Sequence, residues 1–219
     1  MLKKISFITF LLACSAPAWS NGFYLGGGFG PEIASFNQSA TVKQPGNFNV
    51  KDTTYLSGTG IFGSLFGGYA VVYSAFYLAG EVNANMSSVT FDSSNYEFLH
   101  SSTANTHYRM QYGFGLSILP GYIFTPATLF YGRLGYANGN FNISTNDTSL
   151  AKTKKNLSGL RFGVGINQSL SQQIAMRMEY SQVNYRSTSF SVVDGTTTKT
   201  TSIKPTTGQV EFGLVYKFG

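Results

Sequence analysis

The 219-residue chain is 11% charged, about half of the roughly 25% usual in soluble domains, while 16% of it is aromatic and glycine occurs 25 times. This much apolar side chain excludes a disordered polypeptide, and a formal charge of +6 scattered along the chain excludes a nucleic-acid-binding surface. The length calls for one domain, and the composition suits a protein whose solvent is partly lipid.

Residues 1–20 read as an export signal: Lys3 and Lys4 form a basic start, Ile5 to Ala13 an apolar core, and Ala18-Trp19-Ser20 a small-x-small cleavage site before Asn21. The apolar core is too short for a membrane-spanning helix, which needs ~20 residues. Leu11-Leu12-Ala13-Cys14 resembles a lipoprotein box, so lipidation of Cys14 is the alternative maturation. Cleavage after Ser20 leaves a barrel domain of residues 21–219 with no cysteine and therefore no disulfide.

Alternation then governs the chain. It is weak over Phe23 to Phe36. From Thr53 to Gly80 no charge occurs, but six glycines among β-branched and aromatic residues make a poor helix. Two strands with a tight turn near Val72 to Ser74 fit better, the second running from Ala75 to Phe91. Tyr108 to Phe124 is the clearest segment: even positions from Tyr108 to Phe124 are large and mostly apolar, odd positions are Arg109, Gln111, Gly113, Gly115, Ser117, Leu119, Gly121 and Ile123. Leu129 to Ile143 follows, then the Leu160-x-Phe162-x-Val164-x-Ile166, Ile174-x-Met176-x-Met178-x-Tyr180 and Val210-x-Phe212-x-Leu214-x-Tyr216-x-Phe218 runs. Eight strands result, an even number as closed single-chain membrane barrels require. Short turns are expected near Val72 to Ser74, Thr125 to Thr128 and Leu170 to Gln173. Long polar loops are expected near Asn37 to Ser57, Asp92 to Thr106, Ser144 to Asn156 and Thr188 to Pro205.

One face of these strands is greasy almost without interruption, while the other carries Gly, Ser, Gln, Arg and Glu. A soluble barrel would reverse this, with Lys, Glu and Thr outside. The fold expected is therefore all-β, an eight-stranded antiparallel up-and-down transmembrane barrel whose grease faces lipid and whose charges fill a cramped interior. Strand direction places Glu81, Glu179 and Glu211 at similar heights, with Arg133, Arg161 and Arg177 close by and Arg109 and Lys217 nearer the rims. Charges in such an interior persist only when paired, so these eight residues are expected to form an ion-pair network that plugs the lumen. A gate in a narrow channel is the alternative.

The last strand, ending Tyr216-Lys217-Phe218 before Gly219, resembles the C-terminal signature by which outer-membrane barrels are recognised for insertion. The resemblance implies the barrel-assembly machinery as a partner, with Tyr216 and Phe218 carrying the signal. Gly22-Phe23-Tyr24-Leu25-Gly26-Gly27-Gly28-Phe29-Gly30 is similar to the first strand of OmpA-like and opacity-type surface barrels. With no further domain after the barrel pattern, the likeness is to barrel-only relatives such as OmpX and the opacity proteins. It implies a bacterial outer-membrane location, a structural role, and surface loops for adhesion or contact with a host ligand. Aromatic residues near strand ends (Tyr108, Tyr122, Phe124, Tyr216, Phe218) suit interfacial girdles.

Catalysis finds little footing, and no enzyme is expected. His100-x-Ser102 has the spacing seen in a lipid A deacylase barrel, which it resembles in that tripeptide only, and here it falls in a loop. Gly58-Thr59-Gly60-Ile61-Phe62-Gly63 matches a dinucleotide fingerprint by spacing, but no helix can follow it. No cofactor or metal-ligand cluster is legible. Basic loop residues, Lys152, Lys154 and Lys155 in the third loop, Lys199 and Lys204 in the fourth, and Lys43 and Lys51 in the first, suit lipopolysaccharide phosphates or acidic host polymers, with salt screening such exposed charges.

Overall fold

The computed structural model describes residues 19–44, 46, 48–97, 102–145, 153–194 and 197–218. Cys14, most of the residues read as an export signal, His100, Lys152 and Gly219 lie outside the described residues, as do the side chains of Ser102, His107, Tyr108, Lys154, Lys155 and Lys199.

The strands are β1 (Gly22–Gln44), β2 (Phe48–Tyr73), β3 (Phe76–Ser87), β4 (Thr90–Glu97), β5 (Ser102–Thr125), β6 (Thr128–Thr145), β7 (Thr153–Ser169), β8 (Ile174–Tyr185), β9 (Thr188–Asp194) and β10 (Thr197–Phe218). Two of them are continuations. β4 resumes β3 after Ser88-Val89 and both pair with β5; β9 resumes β8 after Arg186-Ser187 and both pair with β10. The ring is therefore eight strands round, β1-β2-β3-β5-β6-β7-β8-β10, closed by antiparallel pairing of β10 with β1 from Phe23↔Phe218 to Lys43↔Thr198. Closure leaves no strand edge in hydrocarbon, where each unpaired backbone group costs several kcal/mol.

Burial alternates along the strands: on β3 and β8 every second residue is buried over most of the length. On β1 the outward residues Phe23, Leu25, Phe29 and Ile33 are exposed, and residues 23–33 match the ~9–11 residues a tilted strand needs to cross hydrocarbon. The apolar exterior continues through Ile61 and Leu65 on β2, Phe114 to Tyr122 on β5, and Phe212 to Phe218 on β10. At the end of the barrel with short turns, Tyr216 and Phe218 lie edge to face at 4.9 Å, Phe124 meets Phe130 at 5.9 Å, and Phe76 meets Tyr122 at 5.9 Å. These rings form the periplasmic aromatic girdle.

The short turns fall where alternation lapses. Tyr73 and Phe76 close a two-residue hairpin in which Ser74 takes φ 56°, the left-handed conformation that tight hairpins demand. The regions expected as long loops differ from expectation. Most of Asn37 to Ser57 is paired strand, with Asn37↔Tyr55 and Lys43↔Asn49 in register, and β4, β9 and the upper parts of β5 and β10 fill most of the second and fourth. Outside the bilayer both faces of a strand meet water, so apolar alternation disappears although the ladder continues; the Thr-rich composition there favours strands.

Above the apolar band the ring divides. Among the described residues, 48–60 of β2 pair only with β1, β4 only with β5, 153–157 of β7 only with β6, and β9 only with β10, the last cross-links being Ser88 N–H to Ile61 O and Arg186 N–H to Ser158 O. Two four-stranded blades, β9-β10-β1-β2 and β4-β5-β6-β7, thus rise from one cylinder.

Inside, two apolar layers bracket a polar one. The lower layer centres on Phe66, Leu119, Leu129 and Tyr131, the upper on Phe36, Met110, Phe141 and Tyr185. Inward glycines make room for these rings: a Cβ at Gly165 would overlap the Tyr131 ring, and one at Gly68 the Tyr24 phenol. Gly30 is tighter still, since a Cβ there would overlap the Val210 carbonyl of the closing strand. A flexible side chain can yield but a backbone cannot, so Gly30→Val should cost at least the upper end of the ~1–3 kcal/mol typical of overpacking. It should sharply lower refolding yield, read as loss of the heat-modifiable band on unboiled gels. Refolding of Gly30→Val at the wild-type yield would contradict this account of the seam.

Candidate functional site

Alternation aims Glu81 (β3), Arg133 (β6), Arg161 (β7), and Arg177 and Glu179 (β8) into the polar layer, all less than 5% exposed. Arg133 joins both carboxylates: Nη2 donates to Glu81 Oε1 at 2.6 Å and to Glu179 Oε2 at 2.8 Å, and Nε lies 2.8 Å from Glu179 Oε1. Arg177 Nη1 donates to Glu81 Oε2 at 2.8 Å, and its guanidinium lies 4.0 Å from the centre of the Phe66 ring. Arg161 Nη2 is 3.5 Å from Glu179 Oε1 and donates to Ser181 Oγ at 2.9 Å. Two phenols from the lower apolar layer complete the carboxylates: Tyr24 donates to Glu81 at 3.0 Å and Tyr131 to Glu179 at 2.7 Å. Desolvating each ion costs several kcal/mol, and the multiple charge-assisted hydrogen bonds offset that cost. Glu211 stands opposite Glu179 in register and accepts a hydrogen bond from Ser64, with no ion pair among the described residues.

Of the two members expected near the rims, Lys217 is there and Arg109 is not in the interior. Lys217 sits at the periplasmic mouth, donating to Ser169 Oγ at 2.9 Å with its ammonium 4.5 Å from the Trp19 ring centre. Arg109 is exposed on the outer face and is not part of the network. The cause is a bulge: β5–β6 pairing jumps from Met110↔Phe141 to Gly113↔Gly139. The extra residue reverses inside and outside, so Met110 enters the core and Arg109 leaves it. Lys204 is exposed on β10.

The sequence reading missed Glu32, a buried carboxylate on β1 that accepts from Ser87 and from Gln209 Nε2 at 2.8 Å. Its signal was a lone charge between Pro31 and Ile33 on the inward parity, blurred by the glycines before it. Ser64, Tyr24 and Tyr131 were also missed, because hydroxyl partners of buried ions leave no pattern of their own. Among the described residues, no three His, Cys, Asp or Glu side chains are grouped to hold a metal ion.

Such a molecule, greasy outside, ionic at its centre and closed strand to strand, is a small transmembrane β-barrel of the bacterial outer membrane. The family model described as outer membrane protein beta-barrel domain matches residues 6–218, and the chain belongs to that family. No curated protein matches significantly. Among solved structures, the outer membrane protein OprG of Pseudomonas aeruginosa aligns with a TM-score of 0.56 at 16% identity, covering 93% of this chain and 99% of OprG. Neisserial surface protein A gives 0.45 at 12% identity over 86% of this chain and 97% of its own. Ail, the attachment invasion locus protein of Yersinia pestis, solved with the heparin analogue sucrose octasulfate, gives 0.43 at 12% over 91% and 100%.

The ion cluster predicts asymmetric mutant costs. Glu81→Gln takes from Arg177 its carboxylate partner and from Arg133 one of two, in a dry interior, and should cost about 3–5 kcal/mol, read as a lowered urea midpoint for the barrel in lipid vesicles. Joint replacement, Glu81→Leu with Arg177→Met, should cost clearly less than the sum of the two single changes. Strict additivity would show that the groups do not act as a cluster.

Proposed function

We propose that this barrel is a non-conducting, non-enzymatic scaffold that strengthens the outer membrane and carries surface blades for adhesion or contact with a host ligand. The observation that supports it best is the contrast between the two ends of the strands. Within the membrane, the lumen is occupied by the Glu81–Arg133–Glu179 cluster between two apolar layers, and among the described residues the hollows beside Arg161 and Arg177 leave room for about 10 Å³ and about 20 Å³, about one water each. Beyond the membrane, ordered pairing continues as far as Gln44↔Phe48. A long, paired sheet costs backbone ordering of roughly 1–2 kcal/mol per residue, and display of a surface is a use that accounts for it. On the outer blade face Lys43 and Lys51 are exposed and pair with Asn49 and Thr41, which sets them diagonally adjacent at the ~7–8 Å of such neighbours; an acidic polymer is the matching ligand class. Tyr216 and Phe218, outward at the end of β10, are the residues proposed to meet the assembly machinery.

Two measurements test this reading. Pure protein in planar bilayers should show no steady single-channel current, whereas sustained openings would favour a narrow channel. Cells expressing the barrel should bind host surfaces or immobilised sulfated polymer, and shortening the β1–β2 blade by removing 38–54 should abolish that binding while the barrel still folds. Undiminished binding by the shortened form would rule out the blade as the contact surface.

A further inference from the structure

On the lipid side, the wall carries a groove of about 290 Å³ bounded by Pro31, Ile33, Tyr180, Gln182, Thr206 and Gly208. Two features of the sequence create it. Pro31 has no N–H to give the ladder, and the β1–β10 pairing skips from Phe29↔Phe212 to Glu32↔Gln209. Gly208, flanked in register by Ile33 and Gln182, leaves the floor without a side chain. Interior packing does not require that glycine: a Cβ there would meet only the Tyr180 hydroxyl, at an ordinary 3.7 Å, whereas Gly30 next to the same seam admits none.

The groove's position specifies its occupant. Ile33 is the last large apolar residue on the outer face of β1 before Ser35 and Asn37, so the groove lies at the outer-leaflet edge of the apolar band. Directly above it on the same face is Lys204, opposite Asn37, and because the register shifts by one between Thr206↔Asn184 and Ile203↔Thr188, Arg186 and Ser187 together lie across from Lys204. Both are exposed, and neither is in an ion pair among the described residues. Lys204 is four positions from Gly208, roughly 13 Å along a strand, which places a cationic pair one headgroup's reach above an acyl-sized trough. Arginine binds phosphate through two parallel N–H donors, with lysine as a point charge beside it.

We infer that this surface is a specific site for the lipid A part of lipopolysaccharide: one acyl chain lies over Gly208 between Ile33 and Gln182, and a phosphate is held by Arg186 and Lys204. The inference stands on the lipid face of the barrel and is independent of what the blades bind.

The test uses the mature barrel folded in detergent, with native mass spectrometry reading the lipid retained. Diphosphorylated hexa-acyl lipid A, its monophosphoryl form and phosphatidylglycerol are offered in turn. One diphosphorylated lipid A per barrel is expected, held in preference to the monophosphoryl form and well above phosphatidylglycerol. Arg186→Ala with Lys204→Ala should lower lipid A occupancy at least tenfold. Gly208→Phe, which fills the trough and keeps both charges, should lower it similarly; Gln182→Trp fills it from the other wall and serves if the Phe variant does not fold. Phosphatidylglycerol retention should be unchanged in all variants. Wild-type occupancy by either class of variant, equal retention of phosphatidylglycerol and lipid A, or no retained lipid A would overturn the site.

Discussion

Every other feature of this molecule depends on the pairing of its first strand with its last. Hydrocarbon offers no partner to a backbone N–H or C=O, so β1 and β10 must meet along their whole membrane length. That requirement brings the chain ends together, makes the strand number even, and turns one side of every strand inward. The interior then has to be filled by whatever the inward positions supply. Here, among the described residues, they supply three guanidinium groups, four carboxylates and a set of phenols, with glycines spaced so that the larger groups fit.

The filling is layered rather than mixed, and the layering follows from electrostatics. A carboxylate such as Glu81 is stable in this interior because two arginines and one tyrosine reach it together. The apolar layers above and below keep competing water from that cluster and strengthen each contact through the low local dielectric. The same arrangement fills the middle of the lumen, so the groups that hold the strands together also occupy the space between them.

Fold class was legible because runs such as Leu214-x-Tyr216-x-Phe218 form one greasy face on strand after strand while the opposite face carries glycines and charges, the reverse of a soluble barrel. Interior partners were legible where a charge sat on a cleanly alternating strand, as with Glu179 and Arg177. Arg109 was misplaced because a bulge leaves no mark in a run of tyrosines, methionines and glutamines; only the pairing partner reveals it. Glu32 was overlooked because glycines at positions 26, 27, 28 and 30 carry no side chain from which to judge a face. The blades were read as loops because hydrophobic alternation reports the surrounding solvent and not the hydrogen-bond ladder.

Strand direction gives the split rim a further property. β7 descends toward the periplasm and β9 ascends from it, so the facing edges at residues 153–157 and 188–194 are antiparallel to each other. A single visiting strand would lie antiparallel to one edge and parallel to the other, and parallel pairing is slightly the less stable of the two. A visitor that arrives as a hairpin meets both edges antiparallel and restores the up-and-down order. Strand direction alone would therefore favour an even number of added strands at this rim over a single one.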